Sequence, residues 1–125
     1  MEPIKALIIE DEELARELIK NYLKENDLIE IIHECDNGFD GAKAISDLKP
    51  DLVFLDIQMP KLNGFEMLEL VDDPPEIIFI TAHNEFAIKA FEMNAVDYLL
   101  KPYPKDRLLA AVNKAAERIR TRQPA

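Results

Sequence analysis

The sequence predicts an α/β fold in which a five-stranded parallel sheet is doubly wound, with helices on both faces. Short apolar runs without polar alternation recur along the chain, as strands buried on both faces require. Stretches with helical spacing separate those runs. The pattern occupies 125 residues, about one domain, whereas a closed barrel needs eight units in roughly 250 residues.

The first strand reads from Ala6 to Ile9, with Glu10-Asp11 at its end. Leu14, Ala15, Leu18, Ile19, Tyr22 and Leu23 then mark one face of a helix. A second strand at Ile29 to Ile32 precedes a helix over Phe39 to Leu48. The third strand, Leu52 to Leu55, ends in Asp56 and leads to a helix over Phe65 to Val71. Pro74-Pro75 reads as a loop, after which Ile77 to Ile80 forms the fourth strand, ending in Thr81. A helix over Glu85 to Asn94 leads to the fifth strand, Tyr98 to Leu100, which ends in Lys101. The last helix carries Leu108, Leu109, Val112, Ala115, Ala116 and Ile119 on one face. Pro104 opens it, and Lys and Arg gather toward its end, as the helix dipole prefers. Strand and helix alternate throughout, and right-handed crossovers then place helices on both sides of a parallel sheet. The flavodoxin-like strand order 2-1-3-4-5 is the expectation.

Composition narrows the function. Lys plus Arg is 15 and Asp plus Glu is 25, a formal charge of −10, which disfavours direct nucleic-acid binding by this segment. The longest apolar run, Leu108 to Val112, is five residues, so no membrane helix is expected. Met1-Glu2-Pro3-Ile4-Lys5 lacks the form of a secretory signal. Cys35 is the only cysteine, which excludes an internal disulfide and fits a reducing cytoplasm. No basic neighbour activates it, so it reads as a small core residue. His33 reads as a structural strand residue, and Met59, Met67 and Met93 as packing residues.

In open α/β sheets, ligands bind at the carboxyl ends of the strands where the order reverses, here between strands 1 and 3. Glu10 and Asp11 end strand 1 and Asp56 ends strand 3, about 4.8 Å away. Three converging carboxylates repel one another unless a hard cation with oxygen ligands compensates, and Mg²⁺ suits that donor set. The competing reading is that Glu10, Asp11 and Glu12 only cap the first helix, which leaves the third acid on the neighbouring strand unexplained. Thr81 and Lys101 face the same edge. Asp56 could act as a nucleophile toward a phosphoryl donor while Mg²⁺, Lys101 and Thr81 neutralise or hydrogen-bond the phosphoryl oxygens. Taken singly, Thr81 could be a helix cap and Lys101 an ordinary surface lysine.

In combination, Glu10-Asp11, the run Leu52-Val53-Phe54-Leu55-Asp56-Ile57-Gln58-Met59-Pro60, Gly64, Ile80-Thr81-Ala82 and Lys101-Pro102 resemble the receiver domain of bacterial two-component response regulators, a CheY-like fold. The resemblance spans about residues 4–120. It implies that Asp56 accepts a phosphoryl group from a sensor histidine kinase, that Glu10, Asp11, Asp56 and the Gln58 backbone carbonyl hold Mg²⁺, and that Thr81 and Lys101 bind the phosphoryl group. It also implies a cis Lys101-Pro102 peptide and a switch in which Thr81 moves inward and Tyr98 takes a buried rotamer. Glu10 stands where many receivers carry Asp. His83 and Gln58 flank the site and could influence attack by water.

Such a domain is not a metabolic enzyme: it catalyses only its own phosphorylation and dephosphorylation. A haloacid dehalogenase-like phosphatase would need an acid where Gln58 stands, and a pseudo-receiver would not need the intact acids, Thr81 and Lys101. The stretch Asn84 to Phe91, with Ala95 to Pro102, looks like receivers of LytTR-type transcriptional regulators. That likeness implies transcription regulation through a C-terminal DNA-binding output domain. Residues 1–121 are then the receiver and 122–125 begin a linker or tail, although a stand-alone regulator is also compatible. Phe86, Ala90, Phe91 and Met93, with Asp97, Lys105, Arg107 and Lys114, suggest a homodimer through helix 4, strand 5 and helix 5.

Overall fold

The computed structural model describes residues 2–122. The elements are β1 (Ile4–Ile9), α1 (Glu13–Leu23), β2 (Ile29–Cys35), α2 (Gly38–Leu48), β3 (Leu52–Asp56), α3 (Gly64–Glu69), β4 (Glu76–Thr81), α4 (Ala87–Glu92), β5 (Asp97–Leu100) and α5 (Lys105–Arg122). The strands form one five-stranded sheet in the order β2-β1-β3-β4-β5, with every pairing parallel.

Alternate residues of the central strands feed two cores. Ala6, Ile8, Leu52, Phe54, Ile78 and Ile80 pack with Ile19 and Leu23 of α1 and with Leu108 and Val112 of α5. Leu7, Ile9, Val53, Leu55, Ile77 and Phe79 pack with residues of α2, α3 and α4. All residues of β3 and β4 are buried, so both faces demand apolar side chains and the run is continuous. β2 is an edge strand with Glu30 and His33 exposed. Its pairing slips between Ala6–Ile31 and Leu7–His33, which leaves Ile32 as a bulge. It runs to Cys35, beyond the expected end at Ile32, because a half-solvated strand admits His33 and Glu34.

Other departures concern helices. α1 buries Ile19 and Leu23, but Leu14 is 84% exposed and Leu18 37% exposed, so the buried face is narrower than the apolar stripe. The expected helix over Glu85 to Asn94 is a 3₁₀ turn, Asn84–Phe86, followed by the short α4. In α4 only Ala90 is buried. Ile88 and Phe91 face solvent, and Met93 is partly exposed and not a core residue. Met59, Met67 and Cys35 are buried as expected, and burial pushes the Cys35 thiol up to about 11.

α5 reaches Arg122, one residue past the expected boundary, within the usual variation of helix ends. Residues 123–125 of the expected tail lie outside the described residues. Arg118 donates to the Asn94 carbonyl at 2.8 Å and Arg122 to the buried Glu76 carboxylate at 2.6 Å, tying the end of α5 to the sheet. No helix among the described residues is long and apolar enough to cross a membrane.

Candidate functional site

The carboxyl edge of the sheet gathers the residues singled out above. Glu10 and Asp11 follow β1, Asp56 is the last residue of β3, Thr81 the last of β4, and Lys101 follows β5. Glu10, Asp56 and Thr81 are buried, while Asp11 reaches the surface. One oxygen from each of Glu10, Asp11 and Asp56 lies within 4.8 Å of the others. The local backbone makes this compact. Gly64, at the start of α3, donates to the Ile57 carbonyl at 2.8 Å. A Cβ there would sit 2.7 Å from the Asp56 carbonyl oxygen, so only glycine lets α3 approach the end of β3 this closely.

Among the described residues every buried side-chain polar atom has a partner. The Gln58 amide donates to Asp56 Oδ1 at 3.2 Å and the Glu12 amide to Glu10 Oε2 at 3.1 Å. Lys101 Nζ donates to Glu10 Oε1 at 2.6 Å and lies 3.8 Å from Asp56 Oδ2. The Lys101 amide donates to the Thr81 carbonyl at 2.7 Å, and Thr81 Oγ1 accepts the His83 amide at 3.2 Å. The Lys101-Pro102 peptide is cis. Thr81 is therefore not the cap of the following turn, whose N-cap is His83. Capping does not account for the acids either, since Glu12, the N-cap of α1, makes no side-chain cap bond.

Electrostatics follow from crowding and burial. Burial raises the Asp56 carboxyl above its ordinary range, against hydrogen bonding with Glu10 and the charge of Lys101. Burial also raises Glu10, with Asp56 adding to the effect and Lys101 opposing it. Asp11 is raised by burial and by its neighbour Glu10. Burial alone would lower the Lys101 ammonium, but Glu10 and Asp56 outweigh it and raise it above its ordinary value. Three oxygen donors whose charges are mutually unfavourable, open to the surface at Asp11, suit a hard divalent cation. The residues present fit Mg²⁺ on donor chemistry and spacing.

Two residues invisible in the sequence pattern complete the shell. Arg16 Nη1 donates to the Glu10 carbonyl at 2.8 Å and its Nε pairs with Glu34 at 3.5 Å, bracing the loop that carries the acids. His33 is exposed on β2, away from this edge. His83 turns a ring nitrogen toward Glu85 at 3.6 Å, and Gln58 is exposed.

Tyr98 lies on β5, half-buried, and its hydroxyl donates to the His83 carbonyl. The tyrosine is thus joined to the loop that follows Thr81. Beside it, Asp97 is gripped by Arg107, whose two terminal nitrogens each donate at 2.8 Å, and by Lys114 at 3.3 Å. Burial opposes ionisation of Asp97, yet Arg107, the Tyr98 amide and Lys114 prevail and hold its carboxyl at about 2. Of the opposite charges expected to serve a dimer, Asp97, Arg107 and Lys114 are therefore paired within the chain.

Residues 6–113 match the family model described as the response regulator receiver domain. Transcriptional regulatory protein BtsR of Escherichia coli (strain K12) is 51% identical over 107 residues, covering 84% of this chain and 45% of that protein. An uncharacterized response regulatory protein of Vibrio cholerae is 47% identical over 113 residues, covering 89% of this chain and 48% of the relative. The chain thus spans about half the length of the curated relatives it matches. Among solved structures, the response regulatory domain of protein MrkE from Klebsiella pneumoniae superposes with a TM-score of 0.86 at 34% identity, covering 95% of this chain and 100% of that one.

Proposed function

The chain belongs to the response regulator receiver domain family, and on that premise we propose that it is a phosphorylation-dependent signalling switch whose acceptor is Asp56. The observation that carries the reading is the convergence of Glu10, Asp11 and Asp56 within 4.8 Å, with Lys101 3.8 Å from Asp56. A carboxylate oxygen of Asp56 attacks the phosphorus of a phosphohistidine on a sensor kinase. The new P–O bond forms as the P–N bond breaks, and the histidine leaves with its electron pair. Lys101 supplies positive charge to the transferred group, and Thr81 supplies a hydroxyl donor. Glu10, Asp11, Asp56 and the Gln58 carbonyl would hold Mg²⁺, which supplies charge neutralisation between carboxylates and phosphoryl oxygens when bound. The Gln58 amide is too weak an acid to protonate a leaving alcohol, which disfavours the phosphatase reading. The domain turns over only its own phosphoryl group.

Thr81 and Tyr98 then act as the switch. Drawing Thr81 toward the phosphoryl group displaces the loop whose His83 carbonyl holds Tyr98, and the balance between two states shifts. We assign residues 1–121 to the receiver and 122–125 to the start of a connection toward a C-terminal DNA-binding output domain. The transcriptional relative supports that assignment, and the stretches Asn84 to Phe91 and Ala95 to Pro102 favour the LytTR type. A cytoplasmic, kinase-facing protein follows from this role, with no nucleic-acid contact by the receiver itself. Homodimerisation through α4, β5 and α5 would rest on Ile88 and Phe91, 75% and 88% exposed, rather than on the already paired charges.

Intact-mass analysis with a small phosphodonor and Mg²⁺ tests the reading. One phosphoryl group should add to the wild type, none to Asp56→Asn, and none after thorough chelation. A wild type that stays unlabelled under all conditions returns the chain to the pseudo-receiver alternative.

A further inference from the structure

Asparagine followed by glycine occurs at two places in the chain, Asn37-Gly38-Phe39-Asp40 and Asn63-Gly64-Phe65-Glu66. Both asparagines are N-caps in extended backbone, of α2 and α3, and each side chain accepts the amide three residues on at 2.8 Å. Both are half-buried and both glycines are buried, so neither local sequence nor burial separates the two. Backbone hydrogen bonding does. The Gly64 amide donates to the Ile57 carbonyl at 2.8 Å, and the Asn63 amide to the Glu66 carboxylate at 2.9 Å. Among the described residues no acceptor takes the Gly38 amide. A glycine nitrogen without a Cβ beside it can close on the preceding side chain, and it must give up its proton to do so. A proton held by a carbonyl is not readily given up.

We propose that Asn37 is a site of spontaneous covalent modification, losing its side-chain amide to water, and that the Ile57 carbonyl keeps Asn63 from the same reaction. The Gly38 nitrogen, having passed its proton to a solvent base, bonds to Asn37 Cγ. The Cγ–Nδ2 bond breaks, and ammonia leaves with that electron pair and a proton from water. A second water opens the cyclic imide, giving aspartate when it cuts at the side-chain carbonyl and isoaspartate when it cuts at the backbone carbonyl. In sum, one amide and one water become one carboxylate and one ammonium. Asn37 Nδ2 donates to Asp36 Oδ1 at 2.8 Å and to Asp40 Oδ2 at 2.9 Å, but these exposed bonds exchange with water at little cost and do not lock the side chain. After conversion they become repulsions, since residue 37 then sets a third carboxylate beside Asp36 and Asp40 at the start of α2. An aspartate still caps the helix. An isoaspartate adds a carbon to the backbone and loses the register of the cap. The change falls two residues after Cys35, whose carbonyl accepts the Glu10 amide at 3.0 Å.

The two sites control for each other in one experiment. The folded wild type is incubated at neutral and mildly alkaline pH, and its peptides are followed by mass spectrometry, with an isoaspartyl methyltransferase to mark the isoaspartate product. The peptide carrying Asn37 should accumulate both acid forms, faster at the higher pH because the attacking nitrogen must lose a proton. The peptide carrying Asn63 should convert more slowly by about fivefold or more, the factor that one hydrogen bond of ordinary net strength supplies. In denaturant the two should convert at similar rates, because their local sequences nearly match. Asn37→Ser, which keeps a capping hydroxyl, should abolish conversion at position 37 and leave Asn63 as it was. Equal rates at the two sites in the folded chain overturn the proposal. So does an Asn37 that stays intact in the folded chain over the time in which the denatured chain converts. Both readouts use the wild type, so a variant that folds poorly does not decide the matter.

Discussion

Two aspartates at strand ends, on β3 and β5 with β4 between them, have opposite fortunes. Asp56, closing β3, shares its surroundings with two other acids, and its carboxyl is raised. Asp97, opening β5, is gripped by the fork of Arg107 and by Lys114, and its carboxyl is held at about 2. Burial pushes both the same way, so the difference lies in the company. Asp97 has donors that satisfy it within the fold and adds to stability. Asp56 has like charges around it, with the lysine hydrogen-bonded to a neighbour, and remains available to something that is not part of the chain. A charge satisfied at home holds structure together; one left crowded is poised for a ligand.

The largest way to break this contrast is to make Asp97 resemble Asp56. Arg107→Ala leaves the Asp97 side chain, 9% exposed, with only Lys114 and the Tyr98 amide. A fully buried broken pair costs about 3–5 kcal/mol, and since Arg107 is 39% exposed we expect about 2–3 kcal/mol, read from chemical denaturation. An unchanged midpoint would show that the fork contributes nothing.

Next in size is acid titration. The Asp97 carboxyl is lower in the fold than in the unfolded chain, so its contribution is present above the ordinary carboxylate range and fades as pH falls from about 4 to about 2. Asp97→Asn should be less stable than wild type near neutrality by up to roughly 2 kcal/mol, with the gap closing over that window. A gap that persists at pH 2 would assign the loss to shape rather than charge.

The crowded side should respond in the opposite sense. A raised carboxyl favours the protonated fold, so the metal-free site is least costly at low pH and destabilises the protein as pH rises through the raised values. In chelator near neutrality, Asp56→Asn should therefore melt higher than wild type, by about 1–2 kcal/mol or less. Mg²⁺ should stabilise the wild type more than Asp56→Asn. If Asp56→Asn melts lower in chelator and Mg²⁺ shifts both proteins alike, the crowding account fails.

The smallest effect belongs to the contact joining the two neighbourhoods. Tyr98→Phe removes the hydroxyl bond to the His83 carbonyl, worth about 0.5–1 kcal/mol at a half-buried position. The sharper readout is NMR of the loop after Thr81. A phosphoryl mimic should perturb β5 in the wild type and leave it less changed in Tyr98→Phe.

How much of this the amino-acid sequence could reveal depends on what each feature needs. β1, β3 and β4 were legible because burial on both faces forces continuous apolar runs such as Ile77 to Ile80. The site residues were legible because strand ends in this fold converge, so Glu10, Asp11, Asp56, Thr81 and Lys101 needed only correct strands to be placed together. α4 was poorly legible: six residues carry too little periodicity, and Ile88 and Phe91 look like core residues while facing solvent. Leu14 misled in the same way. Side-chain pairings lay further out of reach, since the Arg16 bond to the Glu10 carbonyl, the Lys101 bond to Glu10 and the Arg107 fork on Asp97 are set by rotamers and loop paths. No spacing rule encodes them.

The bulge and the polar residues of β2 bear on what happens before the molecule is finished. A free strand edge offers unpaired amides and carbonyls to any neighbouring chain, and sheets assembled from distant segments expose such edges while they form. Here Ile32 interrupts the regular ladder, and Glu30 and His33 project from the same strand. A second copy approaching edge-on would meet an irregular hydrogen-bonding template and a chain of net charge −10. The strand least tightly buried in the finished sheet thus guards newly made copies against sticking to one another, a protection the fully apolar β3 and β4 could not provide if they stood at the margin.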